Sequence, residues 1–328
     1  MCMIKNIIIV GAGRMGNAIA IAFAYAGIEI ALVDVKDRNP AEKNEFLQKW
    51  NDSLDQELHL LEHIGMLVND QYKVLKERIH FYFKDNQTID WKNCELIIEG
   101  VPEIMTHKQH CFRWLEPLIS KNCIVASTTS TFLVTDIAKL ISHPERIVNA
   151  HWLNPGYLMP LVELSRSEHT ADIAVEKLKT LLEAIGKVPV ICNAVAGYIV
   201  PRIQALAMNE AARMVEENVA SAEDIDKAIR TGFGLRFSVL GMLEFIDWGG
   251  GDILYHASEY LREELGERYK APDIIKKNMR ENRNGIRELS GFYKYESMDI
   301  YQYKLNVISK FAENLRFNKL IPQYEIMK

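Results

Sequence analysis

One stretch near the start constrains this chain more than any other. Ile7-Ile8-Ile9-Val10 is a β-branched run that reads as a fully buried strand of a parallel sheet. Gly11-Ala12-Gly13-Arg14-Met15-Gly16 follows at once, then an Ala-rich helical stretch, Asn17 to Ala26, closed by Gly27. A second strand, Ile28 to Val33, ends at Asp34. Each part has a physical task. Gly11 permits a tight turn, Gly13 lets backbone approach a pyrophosphate, and Gly16 lets helix pack on strand. The helix start offers free N–H groups and a positive dipole end to phosphates. Asp34 lies 23 residues after Gly11, near the spacing of a carboxylate that accepts from ribose hydroxyls and repels a 2′-phosphate. The expected cofactor is therefore NAD rather than NADP.

The chain has 328 residues, which suggests two domains. Asn39-Pro40 reads as a helix start, and Phe46, Trp50, Leu54, Leu58 and Leu61 recur at core-packing intervals. The helical reading runs on to His80, with Lys73, Lys76 and Arg78 as a solvated face or a contact to an anionic cofactor tail. Further strands are expected at 96–98, 123–126, 146–151, 159–164 and 188–191, with a helix from Ala171 to Ile185. From Gly197 onward helix follows helix: Arg202 to Asn218, Ser221 to Arg230, Gly251 to Leu265 and Ile300 to Asn314. The expected fold is α/β: an N-terminal Rossmann doubly wound parallel sheet (1–190) and an all-helical C-terminal domain (191–328).

Apolar residues make up 48% and the net charge is −5, so no global basic field points to nucleic acid or an anionic membrane. Cys2, Cys94, Cys111, Cys123 and Cys192 are scattered with no CxxC, which argues against a disulfide framework and a zinc site and fits the cytoplasm. No signal peptide is expected, and the longest apolar stretch, Ala18 to Ile28, is too short to span a bilayer.

In an open α/β sheet, ligands sit beyond the carboxyl ends of the strands. Turns after the expected strands bring Glu99, Glu103, Ser127, Ser130, His151, Asn154 and Glu163 towards that edge. His151 is the general-base candidate, since imidazole exchanges a proton near neutral pH. Glu163 is the nearest carboxylate to fix its tautomer. The other histidines have no comparable setting, and no pair has metal-ligand spacing, so no metal is expected.

These residues resemble a family. His151-Trp-Leu-Asn154-Pro155, followed by Leu161-Val162-Glu163, is similar to the H-x-x-N-P…L-V-E signature of L-3-hydroxyacyl-CoA dehydrogenases. Gly11-Ala-Gly13-Arg-Met15-Gly16 resembles their G-x-G-x-M-G, and Ile98 to Glu103 with Lys108 resembles their E-x-x-x-E segment. Ser127-Thr-Thr-Ser130 stands where they have S-N-T-S, and Gly285 to Tyr293 also matches. The resemblance implies roles. His151 with Glu163 would be the catalytic pair, and Ser130 would contact the substrate oxygen. Met15 belongs to the cofactor motif. Glu103 and Lys108 would contact NAD, and Asp34 the ribose. Asn154 would belong to the substrate side, and the C-terminal domain would form a homodimer. The implied reaction is oxidation of the 3-hydroxyl of a short-chain L-3-hydroxyacyl-CoA, such as 3-hydroxybutyryl-CoA, by hydride transfer to NAD.

Two departures bear on the substrate. Gly197-Tyr-Ile-Val-Pro201 has Pro where the family has Asn after G-F-x-x, and Pro201 is expected in the first turn of a helix. Gly232-Phe-Gly234-Leu235-Arg236 looks more like the gulonate 3-dehydrogenase (lambda-crystallin) and carnitine dehydrogenase branch. Arg236 is then a candidate for binding a substrate carboxylate, or a structural Arg. The alternatives are a dehydrogenase of a free small polar 3-hydroxy acid and a non-catalytic NAD-binding relative.

Overall fold

The computed structural model describes residues 4–68 and 70–322. Cys2, from the cysteine reading, lies outside them. The chain divides into two compact units, Met1–Met208 and Asn209–Lys328.

The first unit is built on β1 (Ile7–Val10), α1 (Arg14–Tyr25), β2 (Ile30–Asp34), α2 (Pro40–His63), α3 (Gln71–Glu77) and β3 (Ile79–Phe83). It continues with β4 (Leu96–Glu99), α4 (Met105–Leu115), β5 (Ile124–Ser127), α5 (Val134–Ala138), β6 (Ile147–Trp152), β7 (Leu161–Arg166), α6 (Asp172–Ala184) and β8 (Val188–Asn193). One eight-stranded sheet results, in the order β3-β2-β1-β4-β5-β6-β7-β8. Every pairing is parallel except β6 with β7. The strand order reverses between β1 and β4, which is where doubly wound sheets open a crevice for a dinucleotide.

Successive residues of β1 feed opposite faces, because strand side chains alternate. Ile7 and Ile9 join one apolar cluster with Phe23, Leu54 and Leu58. Ile8 and Val10 join the other with Phe112 and Leu115. The stripe expected on α2 is present: Trp50, Leu54, Leu58 and Leu61 are buried. Asn39 caps this helix with a reciprocal bond to Glu42, and Pro40 takes its first position.

The helical reading to His80 requires correction. The chain leaves α2 at His63, makes the short α3, and then forms β3 on the sheet edge. Ile79-His-Phe-Tyr-Phe is an aromatic, β-favouring run that pairs in register with β2. Two members of the basic cluster are already engaged. Lys76 Nζ donates to Asp55 at 2.6 Å, and Arg78 donates to the Ala24 carbonyl at 2.9 Å.

Helix α7 (Val200–Glu216) crosses from one unit to the other, with Pro201 in its first turn as expected. The second unit continues with α8 (Ala222–Ala228), a π-type turn (Ile229–Phe233), α9 (Gly234–Phe237), α10 (Met242–Gly249), α11 (Gly251–Leu265), α12 (Asp273–Arg280) and α13 (Ile300–Phe317). Gly285 to Tyr293 wraps the buried Asp247. Its carboxylate accepts from the Phe292 and Tyr293 N–H groups, each at 2.9 Å, and from the Tyr295 hydroxyl at 3.1 Å. A Cβ on Gly291 would fall 2.1 Å from Asp247 Oδ1, so only glycine fits there. Among the described residues no helix is long and apolar enough to cross a membrane.

Candidate functional site

The glycine turn after β1 is shaped by close approach. Gly11 has φ +112°, and a Cβ there would lie 2.6 Å from the Gly100 carbonyl oxygen. A Cβ on Gly16 would meet the Gly11 oxygen at 2.0 Å, so α1 packs here only through glycine. Gly13 differs: nothing lies within 4 Å of its missing Cβ, and the space opens on a cavity of about 410 Å³. Gly13 also starts α1 with no side-chain cap and no acidic residue in the first turn. The first N–H groups of that helix lack intrahelical acceptors, which suits a diphosphate.

Met15, Asp34, Glu103 and Ser130 line the same cavity. Asp34 ends β2, buried, and shares its carboxylate with Arg38, whose Nε donates to Oδ2 at 2.6 Å. The Arg38 guanidinium lies 3.8 Å over the Phe46 ring. The sequence reading missed Arg38; its i,i+4 spacing from Asp34 was the available signal. A cavity lined by an uncapped helix start, an open glycine and a buried carboxylate fits the expected dinucleotide.

Glu99 and Lys108 form a buried ion pair, with Nζ 2.9 Å from Oε1 and both side chains almost fully enclosed. Ser127 Oγ and the Val101 N–H complete the Glu99 carboxylate at 2.5 and 2.9 Å. Lys108 also lies 3.6 Å from Glu103, so it faces the cavity through Glu103. One oxygen of Glu103 gathers the turn after β5. It accepts from the Thr129 hydroxyl, the Ser130 N–H (3.1 Å), and the Thr131 N–H and hydroxyl (2.9 and 2.7 Å). Burial alone would raise the Glu103 carboxyl; the Thr129 and Thr131 bonds and Lys108 outweigh it and hold it below the usual carboxylate value. The turn leaves Ser130 exposed.

His151 and Glu163 face each other directly across the antiparallel pair of β6 and β7. Directly opposed residues project on the same face. His151 Nδ1 lies 2.8 Å from Glu163 Oε2, with His151 5% and Glu163 0% exposed. Glu163 Oε1 accepts from the Ile199 and Val200 N–H groups at 2.9 and 2.8 Å. A carboxylate against Nδ1 keeps the proton on that nitrogen and leaves the Nε2 lone pair to accept one. The Tyr198 ring lies nearly parallel to the imidazole, with centroids 5.2 Å apart and planes 13° apart.

Asn154 follows β6 and lines a second cavity, of about 490 Å³, which shares Gly13, Arg14 and Phe46 with the first. Its loop is tied down by the buried Lys187. The ammonium donates to the Gly156 and Met159 carbonyls at 2.7 and 2.9 Å, and burial lowers its pKa. No local pattern marks Lys187 for this task. In the second unit, exposed Arg236 donates to the Gly232 carbonyl at 3.2 Å and lies over the Phe245 ring at 5.1 Å. Among the described residues no carboxylate pairs with it.

Comparison with known proteins places the chain in a family. Residues 6–195 match the family "3-hydroxyacyl-CoA dehydrogenase, NAD binding domain". Residues 197–295 match "3-hydroxyacyl-CoA dehydrogenase, C-terminal domain". The chain is 31% identical over 288 residues to a probable 3-hydroxybutyryl-CoA dehydrogenase of Deinococcus radiodurans, covering 88% of this chain and 99% of that one. It is 30% identical over 294 residues to 5-formyl-3-hydroxy-2-methylpyridine 4-carboxylate 5-dehydrogenase of Mesorhizobium japonicum, covering 89% and 91%. The crystal structure of an Archaeoglobus fulgidus 3-hydroxyacyl-CoA dehydrogenase superposes with a TM-score of 0.76 at 29% identity, covering 97% of this chain and all of that one.

Proposed function

The chain belongs to the 3-hydroxyacyl-CoA dehydrogenase family, an NAD-dependent oxidoreductase acting on CH–OH groups, and from that premise we propose its substrate and its catalytic residues. The substrate is a short-chain L-3-hydroxyacyl-CoA such as 3-hydroxybutyryl-CoA, oxidised at C3 to the 3-ketoacyl-CoA. The observation that carries the assignment of the base is the 2.8 Å contact of His151 with Glu163, which directs the other ring nitrogen to act as a base.

The N–H groups at the start of α1, with Gly11, Gly13, Met15 and Gly16 around them, hold the NAD diphosphate, and Asp34 holds the adenosine ribose. Glu103, backed by Lys108, shapes the wall beside the cofactor. When bound, NAD supplies the acceptor for the hydride leaving C3. His151 Nε2 takes the hydroxyl proton, and Glu163 orients the ring and stabilises the imidazolium as it forms. Ser130, exposed on its clamped turn, donates to the substrate oxygen. In the reverse direction the imidazolium is the acid.

Arg236 favours a second reading. An exposed guanidinium with no carboxylate partner among the described residues can bind a substrate carboxylate, and one relative is named for a pyridine carboxylate. Pro201 removes a side-chain hydrogen bond from the start of α7. On this reading the substrate is a free, carboxylate-bearing 3-hydroxy acid. Rates on 3-hydroxybutyryl-CoA, free 3-hydroxybutyrate, gulonate and carnitine separate the two. Turnover of the thioester supports the first; activity confined to the free acids rejects it in favour of the second.

The helical unit also provides the contact for a homodimer. Tyr301 and Phe317 of α13 are 77% and 86% exposed, and Ile253 of α11 is 58% exposed. A cytoplasmic location accords with free Cys94, Cys111, Cys123 and Cys192.

A further inference from the structure

Tyr198 touches both halves of the site. It occupies the turn between β8 and α7 and is only 3% exposed. Its backbone has φ +44°, directly after Gly197 at +78°. A bulky L-residue resists that conformation and keeps it only where its surroundings over-determine it. Two sets of bonds do so. The next two N–H groups, of Ile199 and Val200, are held by Glu163. The phenol hydroxyl reaches the Phe132 and Thr129 carbonyls at 2.9 and 3.2 Å and accepts from Asn149 Nδ2 at 2.6 Å.

These contacts join separate elements. Phe132 and Thr129 flank the turn that presents Ser130, and Asn149 lies two residues before His151 on β6. The ring between them lies against the imidazole. Burial, with the Glu103, Cys192 and Glu163 charges, pushes the phenol well above its ordinary value, so it stays a protonated donor.

We infer that Tyr198 is a positioning residue that fixes the Ser130 turn relative to His151: its hydroxyl anchors the turn while its ring backs the imidazole. The inference rests on the assignment of His151 as base and Ser130 as substrate contact. A backbone bond to the turn would otherwise be replaced by water or by nothing, and the serine hydroxyl would lose its fixed distance from the base. Small displacements of reacting groups have large effects on rate.

The test is a rate cycle on the full-length enzyme. Tyr198→Phe keeps the ring and removes the anchor; kcat is expected to fall about 10- to 10²-fold with the KM for NAD unchanged. Ser130→Ala is made alone and combined with Tyr198→Phe. If the hydroxyl acts through Ser130, the double variant is no slower than Ser130→Ala. Full activity of Tyr198→Phe, or losses that multiply in the double variant, overturns the inference. If Tyr198→Phe fails to fold, p-aminophenylalanine at 198 is compared with p-methylphenylalanine, which has similar size and no donor. A faster amino variant supports the anchor, and equal rates reject it. Wild-type turnover in His151→Ala and Ser130→Ala would instead sink the parent assignment. Those two slow beside a fully active Tyr198→Phe would sink this inference alone.

Discussion

Two buried glutamates on strands of one sheet, Glu99 and Glu163, show how partners decide what a carboxylate does. Glu99 ends β4 and meets a Lys ammonium, a serine hydroxyl and a backbone N–H. Glu163, in β7, meets two backbone N–H groups and an imidazole. Both are fully buried. The Glu99 charge is cancelled within the resting fold, so this corner is scaffold. The Glu163 charge has His151 as its one ion-pair partner among the described residues, and that partner is cationic only when protonated. Burial therefore makes one corner rigid and leaves the other able to stabilise a positive charge that arises during reaction.

That contrast can be broken from either side. Lys108→Met removes the cation from Glu99 and strands a buried carboxylate; such losses destabilise by about 3–5 kcal/mol, read from denaturant midpoints. A loss within the range of ordinary surface substitutions would mean that Glu99 is not the closed corner described. Glu163→Gln moves the effect from fold to rate. The new amide can donate to Nδ1, shift the proton to Nε2 and block the base, for a kcat loss of about 10²–10⁴-fold. Its melting temperature is expected to move far less than that of Lys108→Met. An active Glu163→Gln enzyme would erase the distinction between the two corners.

Glu103 gives the smallest and most pH-dependent effect. Its carboxyl is held below its ordinary 4.5 in the fold. The stabilisation is present above that value and is lost as pH falls through the lower folded value. Because the side chain is 36% exposed, solvent screens the pairing. Glu103→Gln is expected to be less stable than the parent at pH 7 by about 1 kcal/mol or less, read from denaturant midpoints, with the gap closing in acid. A gap that widens in acid would contradict the sign.

The parts of this molecule legible in its sequence are those written locally. The glycine turn after β1, the start of α2 and the span of α11 each follow from short-range rules. His151 and Glu163 were legible as a pair because both lie beside strand-end turns, and the antiparallel register sets them opposite. The helical reading runs on to His80 and takes in the first two residues of β3, because the basic run of α3 leads straight into them and the partner strand β2 is distant in sequence. Lys187 and Tyr198 act through a tertiary contact and a backbone angle that residue type does not announce, whereas Arg38 pairs locally, at i,i+4 from Asp34.

The central claim is that His151 is the base held by Glu163. It is tested most directly by the turnover of His151→Ala with 3-hydroxybutyryl-CoA, or with the best free acid, alongside its affinity for NAD. The expected result is unchanged NAD binding with kcat lowered by about 10²–10⁴-fold. Near-normal kcat with intact NAD binding would contradict it and remove His151 from the reaction.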